Sequence, residues 1–151
     1  MDIRPDDLSG QQVRDLLAVH LAGMRQNSPP GSVHALDLSG LQSPGVSIWT
    51  AWDGGQLMGI GALKQLSPST GEVKSMRTDP RHLRKGVGLR ILNHIIAEAV
   101  ERGYRRLSLE TGSGAEFEAA LHLYRKRGFE NGEPFGDYKP TAFNQFLHMQ
   151  L

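Results

Sequence analysis

The sequence predicts a single α/β domain, of the α+β type, over residues 1–151. The middle of the chain alternates apolar and polar residues between glycine-rich turns, which predicts consecutive antiparallel strands. Three other segments repeat apolar residues every three or four positions, which predicts helices. The length suffices for one hydrophobic core. The predicted element order is β-α-β-β-β-α-β-α-β-β.

The first part of the chain predicts a short strand around Ile3 and a helix near 10 to 25. Pro29 and Pro30 prevent continuation of this helix, because proline lacks the N–H group that a helix needs. The segment QNSPPG at 26–31 is therefore expected to be a loop. The helix is predicted from apolar or aromatic residues at helical spacing: Val13, Leu16, Leu17, His20, Leu21 and Met24.

The clearest hairpin lies in VSIWTAWDGGQLMGIGALKQL, where Asp53-Gly54-Gly55 supplies a turn that tolerates positive φ. A second turn, SPSTG, leads into a third antiparallel strand, GEVKSMRT. Side chains alternate between the two faces of a strand. Strict alternation here places four residues on one face: Glu72, Lys74, Met76 and Thr78.

A second helix is predicted from Gly86 onward, and Gly103 supplies its C-terminal stop. RRLSLET then predicts a short buried strand. Ser113 and Glu116 have the spacing of a capping box, which predicts a third helix that Gly128 ends. A strand at Phe129, a Pro/Gly-rich loop and a final strand ending at Leu151 complete the chain. The apolar positions of the second helix are Gly88, Ile91, Leu92, Ile95, Ile96, Ala99 and Val100, and those of the third are Phe117, Ala120, Leu121 and Tyr124.

Composition restricts the function classes. The chain has 17 basic and 16 acidic residues, so it lacks the positive excess that drives non-specific nucleic-acid binding, and no nucleic-acid partner is expected. No apolar run has the length of a membrane span, and MDIRPDDLSG is not a basic leader, so we expect a cytoplasmic protein without a membrane partner. Without cysteine there is no disulfide, thiolate metal site or thiol nucleophile.

The segment LRKGVG at 83–88 has the features of an anion-binding site at a helix start. Unpaired N–H groups and the helix dipole attract phosphate there, and Gly86 and Gly88 let it approach the backbone. Arg84 and Lys85 add cationic donors. The six residues alone are equally compatible with an ordinary loop-to-helix junction. A Walker A loop is excluded by Leu89 after the last glycine, and a dinucleotide fingerprint does not fit a motif that follows an antiparallel meander.

In its context, this motif resembles that of the GNAT superfamily of acyl-CoA-dependent N-acyltransferases. LRKGVG matches the family signature except that Leu83 stands where Gln or Arg is usual. A second family signature, Ala-x-x-Leu-Tyr followed by Gly-Phe, is similar to Ala120 to Tyr124 with Gly128 and Phe129, whereas Phe117 replaces a common Asn. SVHALD, GALK, GEVKSMRT, RRLSLETGS and FGDYKP resemble a bacterial subgroup of small, often uncharacterised acetyltransferases.

The resemblance implies the GNAT fold: a mixed, mostly antiparallel sheet of six to seven strands, with strands 4 and 5 splayed apart and about four flanking helices. It implies acetyl-CoA as co-substrate and an N-acetyltransferase activity on a small-molecule or peptide amine. The backbone of Met76, Arg77 and Thr78 would follow the pantetheine arm. The acyl group would lie between Met76 and the region of Leu109 and Glu110. The pyrophosphate would be held by Arg84, Lys85, Gly86, Val87, Gly88 and Leu89.

The reaction needs a base, because an alkylammonium has a pKa near ~10.4 and must lose a proton before it attacks. Glu72 is the first candidate, since several family members place their base there. An ion pair of Glu72 with Lys74 or Lys64 is an equally open interpretation. Glu110 is the reserve candidate and is also expected to contact the substrate.

Tyr124 occupies the position from which the family protonates the departing thiolate, although its place on an apolar stripe is also typical of core packing. Because the chain has no cysteine, direct attack within a ternary complex is the expected mechanism. A backbone N–H near Met76 would polarise the thioester carbonyl.

His34, in SVHALD together with Asp37, lies where family members build the acceptor pocket and is expected to bind substrate. The six histidines lack a metal-binding spacing, so no metal is expected. A catalytically silent acyl-CoA-binding protein is the alternative function. The acceptor stays open, as does the oligomeric state, for which a homodimer is one option.

Overall fold

The computed structural model describes residues 1–151, the whole chain. Seven strands form, as the element order read from the sequence predicted, and four helices, the number that the family resemblance implied. The strands are β1 (Asp2–Pro5), β2 (Val46–Asp53), β3 (Gln56–Ser67), β4 (Thr70–Thr78), β5 (Arg106–Thr111), β6 (Glu130–Asn131) and β7 (Gln145–Gln150). The helices are α1 (Gln11–Asn27), α2 (Leu38–Leu41), α3 (Val87–Glu101) and α4 (Glu118–Arg127). No helix combines the length and hydropathy that crossing a bilayer requires.

All strands belong to one sheet, in the order β1-β2-β3-β4-β5-β7-β6. Neighbouring strands are antiparallel except β4 and β5, which are parallel and are connected through α3. These two strands pair only from Thr70 with Arg106 to Glu72 with Ser108. The sheet therefore opens between β4 and β5 beyond Glu72, which confirms the predicted splay.

Each face of the sheet carries its own apolar core. Helix α3 packs on one face, where the missing side chain of Gly61 is essential: a Cβ there would lie 2.6 Å from Ile91 Cγ2. Helix α1 covers the opposite face and buries Leu16 and Leu17 against Ile60. The open end of the β4–β5 gap thus lies between two helical layers.

A β-bulge in β4 overturns one expectation. Lys74 pairs with Ala62 and Arg77 pairs with Ile60, so Ser75 and Met76 together stand opposite Gly61. Ser75 adopts a left-handed conformation, with φ of 55°. Such an extra residue reverses the alternation of side chains beyond it. The prediction that Glu72, Lys74, Met76 and Thr78 share one face is wrong.

The consequence of the bulge is visible on both faces. Met76 and Thr78 turn toward α3, where Met76 Sδ lies 2.7 Å from the Cβ position of Gly61. Arg77 instead joins Glu72 and Lys74 on the α1 face.

The predicted capping box is also wrong. The Ser113 hydroxyl donates to the Phe143 carbonyl over 2.6 Å, so it does not cap the helix. A 3₁₀ turn over Ala115–Phe117 precedes α4, which starts at Glu118. The four-residue helix α2 was not anticipated; the Asp37 side chain caps it by accepting from the Gly40 N–H over 2.8 Å.

Candidate active site

A cavity of about 650 Å³ fills the opening between β4 and β5. Its walls come from β4, β5, α1, the start of α3 and α4. Pairing of the two strands ends at Glu72, so both backbones beyond it face open space instead of each other. A cavity at such a strand separation is a common place for a ligand.

The start of α3 forms one end of this cavity. Arg84 and Gly86 both have positive φ, 62° and 78°, which turns the chain sharply into the helix. Gly86 occupies the N-cap position and offers no side-chain acceptor, so the first N–H groups of α3 stay free of side-chain caps. Gly88 and Leu89 also line the cavity.

Two side chains of the LRKGVG segment bring no positive charge to the cavity. Lys85 does not line the cavity, and its Nζ lies 3.1 Å from His82 Nδ1. Leu83 lines the rim and is 58% exposed. Of the features on which the predicted anion site depends, the cavity wall therefore contains the backbone, the two glycines and Arg84.

The predicted pantetheine segment, Met76, Arg77 and Thr78, lines the same cavity. Immediately before it, the buried hydroxyl of Ser75 has no hydrogen-bond partner. A buried polar group without a partner is uncommon and needs an explanation. Together with the free start of α3, this lining has hydrogen-bonding capacity available for a ligand with a phosphate end and a polar arm.

Glu72 is buried on the α1 face, with 3% of the residue exposed. Its Oε2 accepts from Lys74 Nζ at 3.1 Å and from the Tyr138 hydroxyl at 2.6 Å. Lys74 also donates to the Tyr138 oxygen over 2.7 Å. Of the two ion pairs considered from the sequence, the one with Lys74 forms, whereas Lys64 forms no salt bridge. Glu72, Lys74 and Tyr138 thus hydrogen-bond to one another, and Lys74 also donates to the His34 carbonyl over 3.4 Å.

Glu110 faces the same cavity from β5, and His34 approaches it from the segment before α2. His34 Nε2 lies 3.9 Å from Glu110 Oε2, so the two predicted substrate contacts lie side by side. Burial raises the pKa of Glu110 to about 7, and the negative charge of Glu72 adds to this, against the opposing charge of Lys74. A carboxyl group in this environment exchanges a proton near neutral pH.

Tyr124 lines the cavity from α4, and only 7% of it is exposed. Its ring packs edge-on against Phe129, with centroids 5.8 Å apart. Burial raises the pKa of Tyr124, so its hydroxyl stays protonated at neutral pH. The residue therefore combines core packing with a proton donor at the cavity wall.

The sequence did not reveal two features of this site. Tyr138 belongs to the loop before β7, and its hydroxyl donates to Glu72. The Arg77 side chain donates from Nε to His20 Nδ1 over 2.9 Å, although only its backbone had been assigned a role. Both contacts join residues more than fifty positions apart, and no local motif encodes them.

Comparison with known proteins identifies the family. The family model for the acetyltransferase (GNAT) family matches residues 14–129. The uncharacterized N-acetyltransferase YsnE of Bacillus subtilis (strain 168) is 52% identical over 151 residues, 100% of both chains. The uncharacterized N-acetyltransferase YedL of Escherichia coli (strain K12) is 50% identical over 149 residues, 99% of this chain and 94% of that one.

Solved structures agree with this relationship. A crystal structure from Klebsiella pneumoniae subsp. pneumoniae superposes with a TM-score of 0.83 at 26% identity, covering 99% of this chain and 97% of that one. A GNAT family acetyltransferase from Elizabethkingia anophelis with acetyl-CoA bound has the same fold, with a TM-score of 0.72 at 20% identity and coverages of 99% and 97%. The chain belongs to the acetyltransferase (GNAT) family.

Proposed function

We propose that this acyltransferase moves an acetyl group from acetyl-CoA to a primary amine of a small molecule or a peptide, by direct attack in a ternary complex. The proposal is based on one continuous cavity, which joins the start of α3 to Tyr124 and to the carboxyl groups of Glu72 and Glu110. These are an anion site, a proton donor and a proton acceptor, the three elements that the reaction needs.

Acetyl-CoA fits the lining of this cavity. Its diphosphate requires N–H donors and positive charge, which the start of α3 and Arg84 supply. Its pantetheine amides require backbone partners, which β4 has free beyond Glu72 because β5 has separated. The related fold that binds acetyl-CoA in Elizabethkingia anophelis supports this co-substrate.

Glu110 is the proposed general base. Its pKa of about 7 makes it a stronger proton acceptor than an ordinary carboxylate and leaves much of it ionised at neutral pH. Glu72, the first candidate from the sequence, has one oxygen engaged by both Lys74 and Tyr138. We assign Glu72 the role of fixing Lys74 and Tyr138 beside Glu110.

Glu110 removes one proton from the substrate ammonium, and the free amine forms a C–N bond with the thioester carbon as the C–S bond breaks. The attacking nitrogen, which is cationic after the C–N bond forms, loses its second proton to solvent, and the departing sulfur gains one from Tyr124. Tyr124 recovers its proton through solvent, and Glu110 releases the remaining one. The products are the N-acetyl amine, CoA with a free thiol and one proton.

Purified protein mixed with acetyl-CoA and a broad panel of amines tests this function. CoA release can be followed with a thiol reagent, and the protein adds no background because it contains no cysteine. We expect acetyl-CoA to raise the melting temperature and at least one amine to release CoA. Stabilisation without turnover across the panel would contradict catalysis and favour an acyl-CoA-binding protein without activity.

A further inference from the structure

The Arg77 side chain is held on the α1 side of the cavity by two neighbours. His20 accepts from Arg77 Nε over 2.9 Å, which fixes the plane of the guanidinium group. Gly23 leaves room for it: a Cβ at this position would lie 3.3 Å from Arg77 Nη2. Arg77, His20 and Gly23 all line the cavity. The guanidinium group is therefore positioned next to the space that a substrate would enter.

The charge of Arg77 has no partner in the protein. Arg77 takes part in none of the salt bridges, whereas the neighbouring cation Lys74 pairs with Glu72. His20 supplies no negative charge, and burial together with the charge of Arg77 lowers the pKa of His20 to about 4. An arginine has five N–H donors, and only one here is bound to protein. A partly buried cation of this kind is stabilised when a ligand brings an anion.

The diphosphate of acetyl-CoA is not the anion that the geometry favours. The start of α3 lies on the other face of the sheet, where a Cβ at Gly59 would meet Val87 at 2.7 Å. The bulge at Ser75 directs Arg77 away from that face and toward α1. The guanidinium group therefore shares a face with Glu72 and Lys74, on the side opposite the proposed diphosphate site.

We infer that the acceptor is an amine that also carries a carboxylate, and that Arg77 binds this carboxylate through its Nη atoms; the inference rests on the proposed function. A guanidinium group matches a carboxylate in shape and can form two parallel hydrogen bonds to it. Lys74 and Arg77 pair with Ala62 and Ile60, which are two residues apart on β3. At ~3.3 Å per residue, the backbones of Lys74 and Arg77 are therefore about 7 Å apart. Lys74 and Glu110 each stand two residues beyond the last β4–β5 pair, Glu72 with Ser108, and both line the cavity, so the amine and the carboxylate would occupy adjacent parts of it.

The test uses a panel of amino acids with the amino group at the α position and at increasing distance, from β-alanine through γ-aminobutyrate to 5-aminopentanoate. Each is paired with its uncharged carboxamide. For the best acceptor, we expect kcat/KM to exceed that of its amide by at least about tenfold, a typical effect of one charged hydrogen-bond pair. Arg77→Met should remove most of this preference through KM, and Arg77→Lys should retain part of it.

The control variant is Arg105→Met, which removes an exposed arginine at the far end of β5 and should leave the preference unchanged. The KM for acetyl-CoA should stay within about threefold in every variant, and melting temperatures check that each variant is folded. Equal kcat/KM values of the wild type for the acids and their amides would overturn the inference. An Arg77→Met variant in which only the KM for acetyl-CoA changes would also overturn it.

Two further outcomes separate this inference from the proposed function. If only amines without a carboxylate are acetylated, the function stands and the carboxylate assignment is wrong. If no amine of any kind is acetylated, the proposed function is wrong. The carboxylate site is then tested by whether the same acids and amides raise the melting temperature of the CoA complex. Selective stabilisation by the acids that is lost in Arg77→Met would support the Arg77 site, and no selective stabilisation would overturn it.

Discussion

Replacing Glu110 with glutamine should stabilise the protein at pH 8 much more than at pH 5. The wild-type carboxyl group has a pKa of about 7 in the folded protein, mainly because burial disfavours its charged form, against an ordinary value of 4.5. Between pH 4.5 and about pH 7, Glu110 is ionised in the unfolded chain but still protonated in the folded protein. Stability linked to Glu110 is thus complete below pH 4.5 and falls as the pH rises to about 7.

The size of this effect follows from the two pKa values. At about 1.36 kcal/mol for each pH unit, the interval from 4.5 to about 7 corresponds to about 3 kcal/mol above pH 7. About 2.5 kcal/mol of this develops between pH 5 and pH 8. Glutamine keeps the shape of the side chain and does not titrate, so Glu110→Gln should escape this loss.

Urea unfolding at the two pH values measures the difference, and the exposed Glu101→Gln on α3 serves as the matched control. We expect the free energy of unfolding of Glu110→Gln, relative to wild type, to increase by about 2.5 kcal/mol from pH 5 to pH 8, with little change for the control. The same relative stability of Glu110→Gln at both pH values would refute the elevated pKa.

Kinetics tests the same carboxyl group as the base. The pH profile of kcat/KM should show an acidic limb near pH 7 that Glu110→Gln abolishes, in addition to the ionisation of the amine itself near ~10. Glu72→Gln should keep this limb but move it to lower pH, because the charge of Glu72 helps to raise the pKa of Glu110. If the limb persists in Glu110→Gln and vanishes in Glu72→Gln, Glu72 is the base.

Three other predictions concern the acetyl-CoA side of the cavity. Tyr124→Phe should lower kcat on the order of 100-fold without changing acetyl-CoA affinity. Tyr104→Phe, a control in the core, should leave kcat unchanged, and equal losses of kcat in the two variants would mean that Tyr124 only packs. Gly86→Asp should weaken CoA binding, measured by calorimetry, far more than Gly86→Asn, since both side chains have open space at this positive φ and only Asp adds a negative charge. Leu83→Arg should change CoA affinity by less than about threefold if the backbone dominates the diphosphate site, and a tenfold gain would show that it does not.

Elements with a strong local period were predictable from the sequence. Helices α1 and α3 and the β2–β3 hairpin have the expected positions, because their apolar spacing and their turn residues are encoded within each segment. The capping box failed for the opposite reason: Ser113 has a hydrogen-bond partner at Phe143, thirty positions away. Helix α2 is a single turn, too short for a periodic pattern.

Part of the candidate site was likewise predictable from the sequence, and part was not. The uncapped, glycine-rich start of α3 was predictable, because Gly86 and Gly88 stand in one short segment at the beginning of an apolar helical repeat. The surroundings of the carboxyl groups were not, because Tyr138 reaches Glu72 from a loop 66 positions away. The sequence could name Glu72 and Glu110 as candidates, but the raised pKa of Glu110 comes mainly from its burial in the folded chain, which no local pattern encodes.

The bulge at Ser75 links the fold to the proposed chemistry. Without it, Arg77 would point toward α3, and Met76 would stand beside Glu72 and Lys74 on the α1 face. With it, Met76 faces the apolar core, and a cation without a partner enters the cavity on the same face as the carboxyl groups. One left-handed residue therefore decides whether that face carries two cations or one. A preference for substrates with a carboxylate is therefore expected with the observed register of β4, and not with the regular alternation that the sequence predicted.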